Sequence, residues 1–391
     1  MSVKNREICL NESMNDELRQ VDRTYVMWRK RRLSYFAGCD YFRLSSHPAV
    51  LQAVKDGLYR YGLNVAASRV TTGNHPLYSQ MERALAKFFN APTALLCGNG
   101  YATNIMVVQA VGEDFSHIFM DERAHLSQRD ATRFFAGPVL EYKHRDAADL
   151  ERQLRRLRGT PKPLVLTDGL FSRDGELAPL AKYVKVLPAS GRILLDDAHA
   201  AGMIGATGQG TVEYAGVSRR RIIQTVTLSK AFGCYGGAIL CSAAIRERIT
   251  ARSPMFAGAT PVPLPLVNAA LKSMELLRHD PGLRSRLRHN VDYVKTALRS
   301  RGFALPHTPA PIVSIFPQVV EEVAKMRRRL LSREVFPSWI RYPGGPEGGY
   351  YRFVLSSEHS QTQLDDLLDG LSTSIPFTTK DTKSTKILGV N

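Results

Sequence analysis

Apolar positions along the chain fall into two alternating rhythms. Short runs dominated by apolar residues occur at 93–97, 117–120, 139–142, 164–167, 193–195, 224–227 and 237–241, and between most of them apolar residues recur three and four apart. Runs with little polar alternation suit strands covered on both faces, so the pattern predicts a mostly parallel sheet wrapped by helices. Amphipathic helices are predicted over 48–61 and 78–90, the second stopped by Ala91-Pro92, and a further helix runs from Gly100 through Val111. From 264 to 301 the pattern is helical throughout. Beyond Pro306 a smaller unit is predicted, with strands near 312–316 and 351–355 and helices over 319–332 and 361–371. The expected organisation is an N-terminal segment 1–45, a large domain 46–278, a small α+β domain 279–375 and a disordered tail over 376–391, which lacks apolar periodicity.

Composition fits that picture. The 391 residues are 44% hydrophobic and 23% charged, as in ordinary globular proteins, and suffice for one large and one smaller domain. No apolar run approaches the roughly 20 residues of a membrane span, and the first twenty residues are polar rather than signal-like, so a cytoplasmic location is expected. The five cysteines show no C-x-x-C pair, which argues for reduced, mostly buried thiols over disulfides or zinc. The formal charge of +17, with clusters such as Arg29-Lys30-Arg31-Arg32 and Arg327-Arg328-Arg329, favours encounters with polyanions. Coenzyme A thioesters, an acidic carrier protein and nucleic acid all qualify, beside the plain alternative of a solvated arginine-rich face. No nucleic-acid-binding motif accompanies the charge, so nucleic acid is not expected as a partner.

Chemistry concentrates at the carboxyl ends of the predicted strands, the edge where open α/β sheets bind ligands. Ile193-Leu194-Leu195 delivers Asp196-Asp197-Ala198-His199, and Gln224 to Thr227 leads into Leu228-Ser229-Lys230-Ala231-Phe232-Gly233. After the first strand, Gly98-Asn99-Gly100 opens directly into a helix, whose N–H groups and dipole favour an anion. This turn is neither a P-loop nor a G-x-G-x-x-G fingerprint. A lysine amine, a buried carboxylate and a phosphate cradle are what pyridoxal phosphate (PLP) chemistry requires. No third ligand stands at metal spacing from His199, so no metal is expected there.

Taken in order, several blocks resemble the α-oxoamine synthases, PLP enzymes of fold type I. They are Leu44-Ser45-Ser46-His47-Pro48, Ser68-Arg69 to Gly73-Asn74-His75, Gly100-Tyr101-Ala102-Thr103-Asn104, Asp121 to His125, Asp168-Gly169-Leu170-Phe171-Ser172-Arg173-Asp174-Gly175, Asp196 to Gly202 and Thr227 to Gly237. The resemblance spans about 33–371 and implies an aspartate-aminotransferase-like α/β fold with a small C-terminal domain. It implies that Lys230 carries PLP as a Schiff base and shuttles the Cα proton. Asp196 would pair with the pyridine nitrogen, His199 and Ser172 with the phenolic oxygen, and His125 would stack on the ring. Gly100, Tyr101 and Thr227 would hold the phosphate, with Thr260 contributed by a second subunit of a homodimer. Ser68 and Arg352 would meet the substrate, the guanidinium gripping the amino-acid carboxylate.

The implied reaction condenses an amino acid such as glycine, alanine or serine with an acyl thioester on coenzyme A or a carrier protein. Loss of the carboxylate then gives an α-aminoketone. A basic entrance formed by Arg29 to Arg32 and Arg43 would recruit the anionic carrier. Departures from the family pattern bear on substrate choice: Cys39-Asp40-Tyr41 stands where Asn-Asp-Tyr is usual, Asn64-Val65-Ala66-Ala67 replaces a glycine-rich run, and Phe256-Ala257-Gly258-Ala259-Thr260-Pro261 lacks two expected hydroxyls. Aldol cleavage or transamination on the same fold, and a non-catalytic partner subunit, stay open as alternatives. The retention of Lys230, Asp196 and His199 together argues against the last.

Overall fold

The computed structural model describes residues 17–317, 319–341 and 345–372. Three short strands that the apolar pattern does not announce come first: β1 (Arg19–Gln20), β2 (Tyr25–Trp28) and β3 (Arg31–Ser34), an antiparallel sheet. Their alternation is too brief and too rich in arginine to register as strands. They form because Trp28 and Leu33 are buried against Phe336, the Trp28 and Phe336 rings meeting edge-on at 5.9 Å.

The main body is a seven-stranded sheet of β4 (Thr93–Cys97), β5 (His117–Asp121), β6 (Val139–Tyr142), β7 (Pro163–Asp168), β8 (Arg192–Asp196), β9 (Ile222–Thr227) and β10 (Gly237–Cys241). The strand order is β4-β10-β9-β8-β7-β5-β6, and β10 runs antiparallel to both of its neighbours while the other pairings are parallel. Every residue of β7, β9 and β10 is buried, as expected of strands covered on both faces. One consequence decides the function. The carboxyl ends of β4, β5, β7, β8 and β9 open on one edge of the sheet.

The helices depart from expectation in two places. The second helix spans Pro76–Phe88, because Pro76 suits the first turn and the His75 ring caps the N–H of Leu77 at 3.1 Å. The long helical stretch is broken into Leu264–His279 and Pro281–Ser300, since Asp280 caps the N–H of Gly282 and Pro281 cannot continue the preceding helix. The C-terminal unit is a sheet of β11 (Ile312–Ile315), β12 (Trp339–Ile340) and β13 (Tyr350–Val354), ordered β11-β13-β12, beside helices Val320–Ser332 and Gln361–Leu371. The tail 376–391, for which the sequence suggests disorder, lies outside the described residues.

Arg43 does not belong to an exposed basic entrance. It is 5% exposed, donates to the Tyr35 carbonyl at 2.7 Å and lies over the Tyr35 ring. Of the cysteines within the described residues, Cys97 and Cys241 are buried and Cys39 and Cys234 half-buried, all four free. Among these residues no helix is long and apolar enough to cross a membrane.

Candidate active site

A cavity of about 320 Å³ opens over the sheet edge, lined by Gly100, Tyr101, His125, Asp168, Asp196, His199, Thr227 and Lys230, among others. Its floor is Asp196, the last residue of β8, 8% exposed. Asp196 Oδ2 accepts from Asn104 Nδ2 at 2.7 Å and from Ser127 Oγ at 3.3 Å, and Oδ1 accepts from the N–H of Ala198 at 3.1 Å. Asn104 is fully buried and its own oxygen accepts from Thr225 Oγ1 at 2.9 Å. A carboxylate held by this many donors cannot swing, so its oxygens keep one fixed direction. Asp197 next to it faces away: it is fully buried and accepts from Thr211 Oγ1 and N and from Gln224 Nε2, a structural anchor.

Lys230 sits on the loop 228–236 between β9 and β10. Backbone bonds close that loop, from Leu228 N to Gly236 O, Cys234 N to Leu228 O and Gly233 N to Lys230 O. Phe232 locks it from below, fully buried against Phe88 and Phe89. Gly233 has φ +59°, and an added Cβ would approach Ser45 N to 2.3 Å, so no other residue fits this turn. Burial pulls the Lys230 ammonium below its ordinary pKa; Cys39 and Asp196 oppose that shift and Arg352 adds to it. The outcome is an amine readier to lose its proton, which proton shuttling and Schiff-base formation both require.

The phosphate cradle meets a physical test. Gly100 begins helix Gly100–Val111, and a Cβ there would lie 2.7 Å from Thr227 Cβ. Only bare backbone fits between the helix start and the end of β9. Asn99 caps the helix through the N–H of Ala102, and Thr227 Oγ1 shares a 2.7 Å hydrogen bond with Ser229 Oγ. Hydroxyls, a helix amino end and a lysine therefore converge, a donor set that suits a phosphorylated carbonyl compound.

The walls place the two histidines. His125 precedes helix Leu126–Ala131; its backbone N–H donates to Asp168 Oδ1 at 3.0 Å, its Nδ1 lies 2.8 Å from Ser127 Oγ, and Tyr101 meets its ring edge-on at 5.9 Å. His199 Nδ1 shares a 2.8 Å hydrogen bond with the buried Tyr41 hydroxyl. Burial, then Lys230 and Arg352, holds His199 well below its ordinary pKa and hence neutral. On the C-terminal side, Arg352 of β13 reaches toward the cavity with weak ties: Nη1 to the Ser172 carbonyl at 3.3 Å and Nη2 to Cys39 Sγ at 4.0 Å.

Four residues named from the sequence are not among those lining this cavity: Arg352, which approaches from the C-terminal unit, and Ser172, Ser68 and Thr260. Ser172 lines an adjoining chamber of about 110 Å³ together with His125, Asp168 and three arginines. Ser68 donates its hydroxyl to the Ala257 carbonyl at 2.5 Å, while the neighbouring Arg69 is spent on a buried ion pair with Glu82. Thr260 lines a wider groove of about 720 Å³ on the other side of Gly98 to Tyr101. Sequence reasoning gave no role to Asn104, Ser127, Tyr41 or Asp168. The signal for Asn104 was present, as a lone amide in the apolar run Ile105-Met106-Val107-Val108.

His144, Asp174 and Glu176 cluster at metal-ligand distances. Arg145 already pairs with Glu176 at 2.6 Å, Arg123 lies 3.8 Å from Asp174, and His144 bonds Asp121 at 2.9 Å. Cations thus balance the carboxylates, and the group is an ion-pair network at the base of the turn carrying Ser172.

Fold and site define a PLP-dependent transferase of fold type I. Residues 39–371 match the aminotransferase class I and II family, to which the chain belongs. It is 32% identical over 368 residues to 8-amino-7-oxononanoate synthase of Trichlorobacter lovleyi, covering 93% of this chain and 94% of that protein. To the enzyme of the same name from Methylococcus capsulatus it is 34% identical over 345 residues, 87% of this chain and 89% of that one. The solved serine palmitoyltransferase of Sphingomonas wittichii superposes with a TM-score of 0.87 at 25% identity, over 94% of each chain. Within the family the protein is an α-oxoamine synthase, a carbon–carbon bond-forming acyltransferase that condenses an amino acid with an acyl thioester.

Proposed function

We propose that the cavity above Asp196 holds PLP on Lys230 and that a small amino acid docks with its carboxylate on Arg352. An acyl thioester of coenzyme A or a carrier protein then acylates the Cα. Carbon dioxide and the free thiol leave, and the product is an α-aminoketone. When bound, PLP supplies the electron sink for negative charge at Cα. The residues do the rest. Asp196 would hold the pyridine nitrogen protonated, neutral His199 would meet the phenolic oxygen and His125 would cover the ring, while Ser172, in the adjoining chamber, would have to turn toward the cavity to join His199. Gly100, Tyr101 and Thr227 would hold the phosphate, and Lys230 Nζ would remove and return the Cα proton.

The observation that carries this reading is the convergence of Lys230, Asp196, His125 and His199 on one cavity, with Arg352 reaching it weakly tethered. Among the described residues no carboxylate lies within ion-pair distance of the Arg352 guanidinium. A bidentate substrate carboxylate supplies what a 3.3 Å bond to a carbonyl does not. The test is borohydride reduction of the purified protein followed by peptide mapping, with thiol release assayed across amino-acid and acyl-thioester pairs. Cofactor fixed on Lys230 and thioester-dependent thiol release are expected. A reducible adduct that persists in Lys230→Ala would refute the assignment.

The functional unit in this reading is a homodimer acting in the cytoplasm. The groove bearing Thr260 shares Asn99 and Tyr101 with the cofactor cavity; Tyr235 on its lining is 49% exposed, and Leu63, next to the lining Asn64, is 70% exposed. A second copy docked here brings its own segment 256–261 toward the phosphate cradle. A monomer in sedimentation that turned over at full rate would sink this part of the reading.

A further inference from the structure

The cofactor cavity and the smaller chamber beside it share two residues, His125 and Asp168. Asp168 ends β7 and stands next to Asp196 in the parallel register, 7% exposed. The two carboxyls are treated unequally by their surroundings. Asp196 receives donors from Asn104, Ser127 and Ala198, whereas Asp168 takes the backbone N–H of His125. Neighbouring buried carboxylates resist ionising together, and the one with fewer donors keeps the proton. Burial first, and the charge of Asp196 second, drive Asp168 well above the ordinary carboxylate range.

The His125 N–H needs an acceptor oxygen at that point, and a neutral carboxyl supplies one. His125 is the residue from which helix Leu126–Ala131 departs; its ring Nδ1 accepts the Ser127 N–H at 3.2 Å as the helix cap, and its backbone N–H is tied to Asp168, so the bond to Asp168 fixes the backbone from which the capped imidazole projects. Ser127 links the same residue to the floor: its hydroxyl contacts His125 Nδ1, Asn104 and Asp196.

We propose that Asp168 is the positioning residue for His125, fixing the imidazole on the cavity wall by accepting the His125 backbone N–H and requiring for this an acceptor oxygen, not a charge. A negative charge there would compete with Asp196 for whatever cation lies between them. The inference rests on the reading that the Lys230 cavity takes PLP.

Two variants separate the requirement for an oxygen from the requirement for a charge. Asp168→Asn keeps an amide oxygen near the His125 N–H; Asp168→Ala leaves that N–H buried and unpaired. In apoenzyme labelled with ¹³C at histidine, the His125 ring resonance is expected to shift and broaden in Asp168→Ala and to stay near the parent position in Asp168→Asn. Titrating PLP into each apoprotein should show Asp168→Asn within about threefold of the parent and Asp168→Ala weaker by about tenfold or more, the scale of an orphaned buried donor. The visible circular dichroism of the loaded protein should change in the alanine variant alone. Equal damage in both variants, or an alanine variant indistinguishable from the parent, overturns the proposal. The resonance is read without cofactor, so it reports on Asp168 even if Lys230→Ala shows the cofactor to be held elsewhere.

Discussion

The floor of the cavity and its outer wall are built differently. Asp196 is held by an amide, a hydroxyl and a backbone N–H, and Asn104 behind it is itself held by Thr225. Arg352 on the wall has one long bond to a carbonyl and a contact to sulfur, and its Nε is buried without a hydrogen-bond partner. A saturated network fixes one geometry, which suits a cofactor that every turnover reuses. An under-bonded guanidinium costs stability in the free enzyme and regains it when a carboxylate arrives. The contrast separates the part of the site that sets the chemistry from the part that sets the substrate.

Breaking the floor should have the largest effect. Asp196→Asn retains shape and loses the charge, and kcat is expected to fall by roughly 10²–10³-fold, the scale of removing one preorganised electrostatic contact. Asn104→Ala strips one donor from Asp196 and opens a buried gap, which should weaken PLP binding by about 1–3 kcal/mol. Cofactor titration and steady-state kinetics check both. A floor tolerant of either change would dissolve the distinction between the two regions.

The wall should respond in KM. Arg352→Ala is expected to raise the amino-acid KM by about 10–100-fold with a smaller change in kcat, and Arg352→Lys should recover little because an ammonium lacks the planar fork. A fall in kcat alone would assign Arg352 to the chemistry and not to docking.

The same division explains how much the sequence discloses. The inner strands of the main sheet are legible because burial on both faces forces unbroken apolar runs, the edge strand β6 being largely exposed, and Lys230, Asp196 and His199 are legible because they follow such runs directly. Residues of the small N-terminal sheet are not, since β2 is held by Trp28 packing on Phe336, a contact across about 300 residues that no local pattern encodes. Ser68 stands in a matching block and Thr260 in a segment that departs from the family pattern, yet in the single chain both lie outside the cavity, because a motif reports a position and not what completes it. Asp168 and Tyr41 stand in the quoted blocks and yet take no role from them, for the opposite reason. Each acts through a histidine, so no spacing with Lys230 marks it.

Beneath the turn carrying Ser172, the His144 network gives the structure a pH window. Burial pulls the His144 pKa down, but the hydrogen bond to Asp121 and the Glu176 carboxylate 3.4 Å away outweigh it and leave the pKa raised above 6.5. Its contribution is therefore complete below about 6.5 and is lost as pH climbs through the raised value. Glu176, held down to about 2 by His144 and Arg145 against burial, contributes fully above 4.5 and loses that contribution as pH falls toward 2. From His144 and Glu176 alone, thermal stability should be greatest between about 4.5 and 6.5; Asp174, raised by burial, opposes this as pH climbs from 3.8. His144→Gln should flatten the alkaline side and cost about 1–3 kcal/mol, an order typical of a hydrogen bond to a charged group. An unchanged pH profile of the melting temperature would show that the network carries no net linkage.

The smallest expected effect concerns the outermost region, the basic hairpin. Arg32 pairs with Asp22 at 2.8 Å with half its side chain exposed, and Arg31 is tied to the Leu331 carbonyl, so neither is buried chemistry. Charges of this kind act at long range and are screened beyond roughly 8–10 Å at physiological ionic strength. If the hairpin steers an anionic thioester carrier, the thioester KM should rise a few-fold between low and physiological salt, and reversing Arg31 and Arg32 to glutamate should flatten that dependence. Amino-acid affinity should not change, because Arg352 is tied at the Ser172 carbonyl and Cys39, away from the hairpin charges. Running one acyl group on coenzyme A and on a carrier protein tells which anion is recruited, the carrier protein being the more salt-sensitive if it docks over a wide face. A thioester KM indifferent to both salt and charge reversal would leave the excess of positive charge as solvated surface, and would confine substrate selection to Arg352 and its neighbours.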